Sequence, residues 1–123
     1  MALEASIDAD GVEELEALLE GLVQLDVSQL RRGLCPPLYQ ANVRYQREPR
    51  GREKWQTARK TFALHTGDCE DLAAYRAADL RVVGIQAKAI IKDIRPGLKH
   101  ALVRYPDGTI EDPSRRLGMG GKG

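Results

Sequence analysis

The chain has 123 residues, 42% hydrophobic and 30% charged, the balance of one soluble globular domain rather than of a disordered chain or a multidomain protein. Its 19 basic and 18 acidic residues give a formal net charge of +1, so no overall field attracts it to nucleic acid or a membrane surface. No stretch reaches the roughly 18 apolar residues of a membrane helix, and residues 1–10 carry no basic group ahead of an apolar segment.

Cysteine usage indicates the compartment. The two cysteines, Cys35 and Cys69, are too few for a disulfide framework in a domain of this size. We expect both to be unpaired thiols in a reducing environment, and therefore a cytoplasmic protein with no secretion signal and no membrane anchor.

The first predicted element is an amphipathic helix over residues 11–25, with the spacing of a capping box at Asp10 and Glu13. Its apolar stripe is Val12, Leu15, Leu18, Leu19 and Leu22. The acidic residues that precede the first basic residue, Arg31, are Glu4, Asp8, Asp10, Glu13, Glu14, Glu16, Glu20 and Asp26. We predict that the leucines pack on their own chain and that the acidic face is free for a basic protein partner.

Residues 33–54 have no sustained hydrophobic period and are predicted to be an irregular, basic connector. Its basic residues are Arg44, Arg47, Arg50, Arg52 and Lys54, interleaved with Tyr39, Tyr45 and Trp55. Glu48 and Glu53 dilute this charge and no nucleic-acid motif surrounds it, so nucleic-acid binding is not expected.

Two helices follow. Thr57 is a predicted N-cap of a short helix that stops at Gly67, a glycine of the kind that ends helices. A second helix begins at Asp68 or Cys69 and runs to the Val83-Gly84 pair. Cys69 lies in its first turn.

Beyond Gly84 the hydrophobic period becomes two, which predicts strands over residues 87–92, 100–105 and 109–112. The sequence Tyr105-Pro106-Asp107-Gly108 predicts a three-residue hairpin loop with Gly108 at positive φ. In that register Asp112 lies on the same face as His100. A two-residue loop would place them on opposite faces, and Glu111 would then replace Asp112 as the candidate partner of His100.

Three of these residues have the side chains that a catalytic triad with a cysteine nucleophile requires. A helix N-terminus lowers the pKa of a thiol, which favours Cys69 as the nucleophile. His100, on the strand after the cysteine helix, is the better base of the two histidines, since His65 is at a helix end. Asp112 is the carboxylate that would orient His100. Taken singly, each residue is as well explained by a buried cysteine, a packed histidine and an Asp-Pro turn.

The same residues carry a resemblance to a known family. Trp55-Gln56-Thr57, Gly67-Asp68-Cys69-Glu70-Asp71-Leu72-Ala73, His100-Ala101-Leu102-Val103 and Asp112-Pro113-Ser114 resemble the transglutaminase-like cysteine protease superfamily, above all its bacterial branch. The match covers about residues 53–117. Thr66 and Ala58 depart from residues common in that branch, and neither is part of the triad.

The resemblance implies an α+β fold with a papain-like core, in which the helix bearing the nucleophile packs on a small antiparallel sheet. Cys69 would be the nucleophile, His100 the base and acid, and Asp112 the orienting carboxylate. The calcium-dependent members bind the ion next to the cysteine, which by position falls on Asp68, Glu70 and Asp71. The acids of a first helical turn have an equally good explanation in the helix dipole.

The expected organisation is an acidic helical segment at 1–32, the connector at 33–54, the core at 55–117 and a glycine-rich tail at 118–123. The expected activity is hydrolysis of a peptide or amide bond in a peptide or protein substrate through an acyl-thioester, with acyl transfer to an amine as a further possibility. The alternative is a non-catalytic structural or adaptor component of a larger assembly. Small versions of the module resemble phage and prophage proteins, which makes a phage particle a second expected location.

Overall fold

The computed structural model describes residues 11–47, 54–95 and 98–119. Over these ranges the fold is α+β, as predicted. The helices are α1 (Gly11–Arg31), α2 (Ala58–Leu64), α3 (Cys69–Val82) and α4 (Pro113–Arg116), with a 3₁₀ helix at Leu38–Gln40. The strands are β1 (Arg44–Tyr45), β2 (Thr66–Gly67), β3 (Lys88–Arg95), β4 (Leu98–Arg104) and β5 (Ile110–Glu111).

Some predicted features lie outside the described residues. They are the Asp10 cap and the acidic residues before it, the middle of the connector at 48–53, the turn at 96–97 and the end of the tail at 120–123. None of the described helices combines the length and the apolar character required to span a bilayer.

Two sheets organise the described chain. Strands β3, β4 and β5 form an antiparallel sheet in that order, and β1 pairs with β2 in parallel. The second pairing was not predicted, because two-residue strands leave no periodic pattern in a sequence. It fixes part of the connector beside the segment that leads into α3, since Gln46 N–H donates to the Gly67 carbonyl at 2.8 Å.

The main core lies where α1 and α3 pack on one face of the antiparallel sheet. Helix α3 contributes small residues to it, and the sheet contributes alternate residues of β3 and β4, as strand geometry requires. The buried members from these elements are Ala73, Ala74, Ala77, Ala78, Leu80, Ala87, Ala89, Ile91, Ala101 and Val103. Small side chains on α3 let its backbone approach both neighbours closely.

Helix α1 packs on its own chain, as predicted, and extends six residues beyond the predicted end at residue 25, to Arg31. Leu19 and Leu22 are buried, and Leu15 packs against them. The prediction is wrong for Leu18, which is 58% exposed. Leu18 lies at the edge of the stripe, on a part of the helix surface that does not face α3 or the sheet.

The prediction of a free acidic face on α1 is wrong for three of its residues. Glu16 accepts a hydrogen bond from Ile91 N–H at 2.8 Å, and Glu20 binds the Arg81 guanidinium through both oxygens at 2.7 Å. Asp26 is fully buried and accepts from the N–H of Ala58, at the start of α2, at 2.7 Å. These carboxylates hold α1 to β3, α3 and α2, so they are not available to a partner.

Helix α2 begins as predicted, with the Thr57 hydroxyl accepting from Lys60 N–H at 3.4 Å. The predicted end at Gly67 is wrong, because the helix ends at His65, whose φ of 63° reverses the chain. Gly67 lies in β2 instead. A Cβ there would come within 3.1 Å of the Asp71 side chain and 3.2 Å of the Thr61 side chain, so the glycine is required for close packing.

We expect Leu19→Ala to lower the free energy of unfolding by about 2–5 kcal/mol, because it leaves a cavity between α1 and α3. Leu18→Ala is the matched control, since the adjacent leucine is exposed, and we expect its effect to stay within about 0.5 kcal/mol. Urea denaturation measures both. Equal losses in the two variants would contradict the packing of α1 described above.

Two of the buried side chains are the carboxyl groups of Asp26 and Asp79. Asp26 Oδ1 accepts from Ala58 and Asp79 Oδ2 from Leu38 N–H at 2.8 Å, while the second oxygen of each is buried without a partner. Burial, partly opposed by the Ala58 N–H, raises the pKa of Asp26 to about 8. Burial likewise raises the pKa of Asp79 to about 7. Both carboxyls therefore keep their protons to a higher pH in the folded protein than in the unfolded chain.

These two pKa values predict that the protein loses stability as pH rises from about 4, near the ordinary aspartate value of 3.8, to about 7 to 8. A carboxyl whose pKa is higher folded than unfolded stabilises the fold fully below its unfolded pKa. This contribution falls as the unfolded chain ionises and is gone once pH has passed the folded pKa. The expected slope is up to about 1.4 kcal/mol per pH unit for each proton released. Asp26→Asn should flatten the pH dependence of the unfolding free energy, whereas Asp93→Asn, at an exposed carboxylate, should leave it unchanged.

Candidate functional site

The β4–β5 hairpin has the predicted three-residue loop. Val103 pairs with Glu111 and Arg104 with Ile110, and Tyr105 N–H donates to the Thr109 carbonyl at 2.8 Å. Gly108 has a φ of 92°, which an L side chain rarely adopts. This register is confirmed.

The hairpin brings His100 and Asp112 together. His100 Nε2 lies 3.0 Å from Asp112 Oδ2 and 3.1 Å from Oδ1, and the histidine side chain is only 9% exposed. A carboxylate accepts hydrogen bonds and cannot donate them, so Nε2 carries the proton of this bond. The neutral ring then has its lone pair on Nδ1, the nitrogen that would accept a proton from a thiol.

Asp112 has a second task that was not predicted. It is the N-cap of α4, where its Oδ1 accepts from Arg115 N–H at 3.1 Å and Pro113 occupies the first turn. The cap holds the carboxylate in place just beyond the end of β5. The sequence Asp-Pro contains this signal, because proline is favoured in the first turn after a capping aspartate.

Cys69 is the first residue of α3 and is half-buried at the edge of β4. Ile91 and Ala101 pair across β3 and β4, and the Ile91 N–H donates away from β4, to Glu16. The Ala101 N–H therefore also points out of this pair, towards β5. The β5 ladder covers only Val103 and Arg104, so the edge at Ala101 is open, and there the Ala101 N–H acts to lower the pKa of the Cys69 thiol.

The expected low pKa of the thiol is wrong. Burial and the charge of Glu70 are the main causes that raise the pKa of Cys69 to about 12, and the Ala101 N–H opposes them only in part. A helix N-terminus carries only about half a charge, which does not offset the loss of water and the adjacent acids.

The hydrogen bonds of the described residues join His100 to Asp112 and do not join it to Cys69. By strand alternation His100 leaves β4 on the face opposite to Ala101 and Val103, which pack towards α3. The imidazole and the thiol therefore lie on different sides of β4, and a contact between them has to form at the open edge of this strand. Hydrogen-bond reach between Cys69 and His100 stays a prediction.

The three acids beside the cysteine have mainly structural partners. Asp68 and Asp71 form a reciprocal capping box, and Asp71 Oδ1 also accepts from Gln56 N–H at 2.7 Å. Burial and the neighbouring Asp68 charge raise the pKa of Glu70 to about 7 and of Asp71 to about 8. Across residues 11–47, 54–95 and 98–119, no three His, Cys, Asp or Glu side chains are arranged to hold a metal ion. Calcium binding stays a prediction from the resemblance.

The remaining cysteine and histidine lie apart from this group. Cys35 is a free, buried thiol in a second apolar cluster formed with the 3₁₀ helix and Tyr75, so its unpaired state is confirmed. His65 donates from Nδ1 to the Asn42 carbonyl at 3.1 Å and stacks edge-on against Phe62. Both residues thus have structural contacts of their own.

Sequence reasoning missed a polar cluster next to Asp112. Glu111 accepts hydrogen bonds from the hydroxyls of Tyr39 and Tyr105 and forms an ion pair with Arg76 at 2.8 Å. The partners lie up to 72 positions away in the chain, so no local pattern marks them. Gln56 is also a structural residue, because its side-chain amide donates to Thr61 Oγ1 and to the Thr66 carbonyl, both at 3.1 Å.

No protein-family model, curated protein or solved structure matches this chain.

We expect Glu70→Gln to lower the pKa of Cys69 and to raise its rate of alkylation by iodoacetamide, since the negative charge beside the thiol is removed. A fall of one pKa unit would increase the thiolate fraction, and hence the rate, about tenfold. Mass spectrometry of the Cys69 peptide separates it from Cys35. Glu13→Gln, an exposed acid on α1, is the control; an unchanged rate in Glu70→Gln would contradict the assigned cause.

Proposed function

We propose that the chain has the papain-like core implied by its resemblance and acts as a cysteine-dependent peptidase or amide hydrolase. Cys69 is the nucleophile, His100 the base and acid, and Asp112 the carboxylate that orients His100. The observation that carries the proposal is the buried His100–Asp112 pair, with Nε2 bound by both carboxylate oxygens at 3.0 and 3.1 Å.

The position of Cys69 supports the same assignment. The N–H of Ala101, the residue directly after His100, lowers the pKa of the Cys69 thiol, so the thiol lies near this part of the open edge of β4. The start of α3 and the open edge of β4 thus place the thiol beside the backbone of the residue that follows the histidine. An orienting bond on Nε2 and a free lone pair on Nδ1 are what a base acting on a nearby thiol requires.

The high pKa of Cys69 favours proton removal during attack over a preformed thiolate. The sulfur forms a bond to the carbonyl carbon while its proton passes to His100 Nδ1, and the C=O electron pair becomes an oxyanion. The Cys69 N–H, at the helix start, is a donor for that oxyanion. Collapse breaks the C–N bond, and the amine leaves with the proton from His100.

Water resolves the thioester in the proposed hydrolysis. His100 takes a proton from the water as its oxygen attacks the carbonyl carbon, and the sulfur leaves and regains the proton. The products are a carboxylic acid, an amine and the free thiol. An amine in place of water would give acyl transfer through the same intermediate, so this remains a second outcome of the chemistry.

One observation favours the alternative, a structural or adaptor role in a larger assembly. The thiol has a pKa of about 12, and the described hydrogen bonds of the His100 ring go to Asp112 and not to Cys69. In this case the His100–Asp112 pair would stabilise the hairpin and the α4 cap without acting on a thiol. A phage particle is one such assembly.

The rate of Cys69 alkylation by iodoacetamide distinguishes the two functions. If His100 acts on the thiol, His100→Ala should reduce the rate at neutral pH roughly tenfold or more, because the thiol loses its base. Asp112→Asn should reduce it as well, and asparagine keeps the α4 cap, so a loss of helix does not explain the effect.

His65→Ala is the matched control, because His65 is the only other histidine and contacts Asn42 rather than Asp112. Its Cys69 alkylation rate should equal that of the parent protein. An unchanged rate in His100→Ala would exclude His100 as the base and favour the non-catalytic role.

A further inference from the structure

Glu111 connects four parts of the fold through one carboxylate. It receives the hydroxyls of Tyr39, from the 3₁₀ helix, and Tyr105, from the β4–β5 loop, together with the Arg76 guanidinium of α3. It is half-buried and lies on β5 directly before Asp112. Although burial raises the pKa of Glu111, the three donors outweigh it and hold the pKa below its usual value, so the carboxylate is ionised.

Two guanidinium groups also pack on the Tyr39 ring of this cluster. The Arg76 guanidinium lies 4.6 Å from the centre of the Tyr39 ring, and the Arg116 guanidinium of α4 lies 4.1 Å from it. Such contacts are favourable when the ring is partly desolvated. Removal of Glu111 would leave two hydroxyls and a guanidinium without their shared acceptor.

The α4 cap and the packing of α4 on α3 help to fix Asp112, and Glu111 adds a direct link from β5 to α3. The β5 ladder ends at Glu111, so Asp112 is one residue beyond the last paired residue of the sheet. Successive strand residues point to opposite faces, so Glu111 faces α3 while Asp112 faces His100. Arg76 comes two helical turns after Cys69 on the same helix. The Glu111–Arg76 bond therefore links the helix of the thiol to the strand of the triad carboxylate.

We infer that Glu111 is a positioning residue, which holds Asp112 against His100 Nε2 and fixes that pair relative to the Cys69 helix through Arg76. The inference rests on the proposed function, because it assigns Glu111 a part in the catalytic arrangement. The positioning itself is testable without a measurement of activity. Glu111 does not touch the thiol or the imidazole and acts only through its neighbours.

The test uses nitrogen NMR of ¹⁵N-histidine-labelled full-length protein. The chain has only two histidines, so each ring gives a resolvable pattern that reports which nitrogen carries the proton. In the parent protein we expect His100 to be in the Nε2–H form. In Glu111→Gln we expect its Nε2 and Nδ1 resonances to move towards those of a mixture of the two tautomers, while those of His65 stay unchanged.

Glu20→Gln is the matched control. Glu20 makes an equivalent ion pair with α3, through Arg81 at 2.7 Å, and holds it to α1 rather than to β5. Both variants should lower the melting temperature, and only Glu111→Gln should move the His100 resonances. Equal movement in Glu20→Gln would show a general loosening of α3 and overturn the inference.

Tyr105→Phe keeps the test valid if Glu111→Gln does not fold, because it removes one donor and leaves the ion pair. It should move the His100 resonances in the same direction by a smaller amount. Unchanged His100 resonances in the folded variants would overturn the inference. Failure of the proposed function is separate, since it appears as Cys69 alkylation that does not depend on His100 in the parent protein.

Discussion

The packing of α3 against both α1 and the antiparallel sheet is the constraint on which the rest of the structure depends. The helix has alanine at several of its buried positions, and α1 and β4 both pack against it. With α3 fixed in this way, its N-terminus lies at the open edge of β4, and Cys69 is placed there by backbone geometry alone. Glu20 and Glu111 then hold the helix to α1 and to β5 through Arg81 and Arg76.

The same burial explains the electrostatics. Carboxylates that accept hydrogen bonds from backbone N–H groups in a poorly solvated interior have raised pKa values, as Asp26, Asp71 and Asp79 do. Cys69 follows the same rule, because its surroundings stabilise the neutral thiol. The helix N-terminus is a weaker influence than the loss of water and the adjacent acids. A nucleophilic role for Cys69 therefore requires a base at the moment of attack, which is the role proposed for His100.

Much of the fold and half of the site followed from local sequence. The period of the α1 leucines, the Thr57 cap and the change to alternating residues after Gly84 each depend on near neighbours in the chain, and each is present in the structure. The His100–Asp112 pair followed from turn chemistry, because a proline at the second position of the turn favours the three-residue loop. Two of the errors were at Gly67, whose glycine serves packing against Thr61 and Asp71 rather than a helix end, and at Leu18.

The sequence by itself determined the presence of helices α1, α2 and α3, the hairpin register and hence the face shared by His100 and Asp112, since spacing and turn residues act over a few positions. Only the tertiary structure decided how these elements affect each other. Burial of Cys69 beside Glu70, the use of Glu16 and Asp26 as internal acceptors, and the convergence of Tyr39, Arg76 and Tyr105 on Glu111 all join distant parts of the chain or depend on exclusion of water. Solvation and long-range contacts have no periodic trace in a sequence, because they arise only when the packed elements displace water from between them.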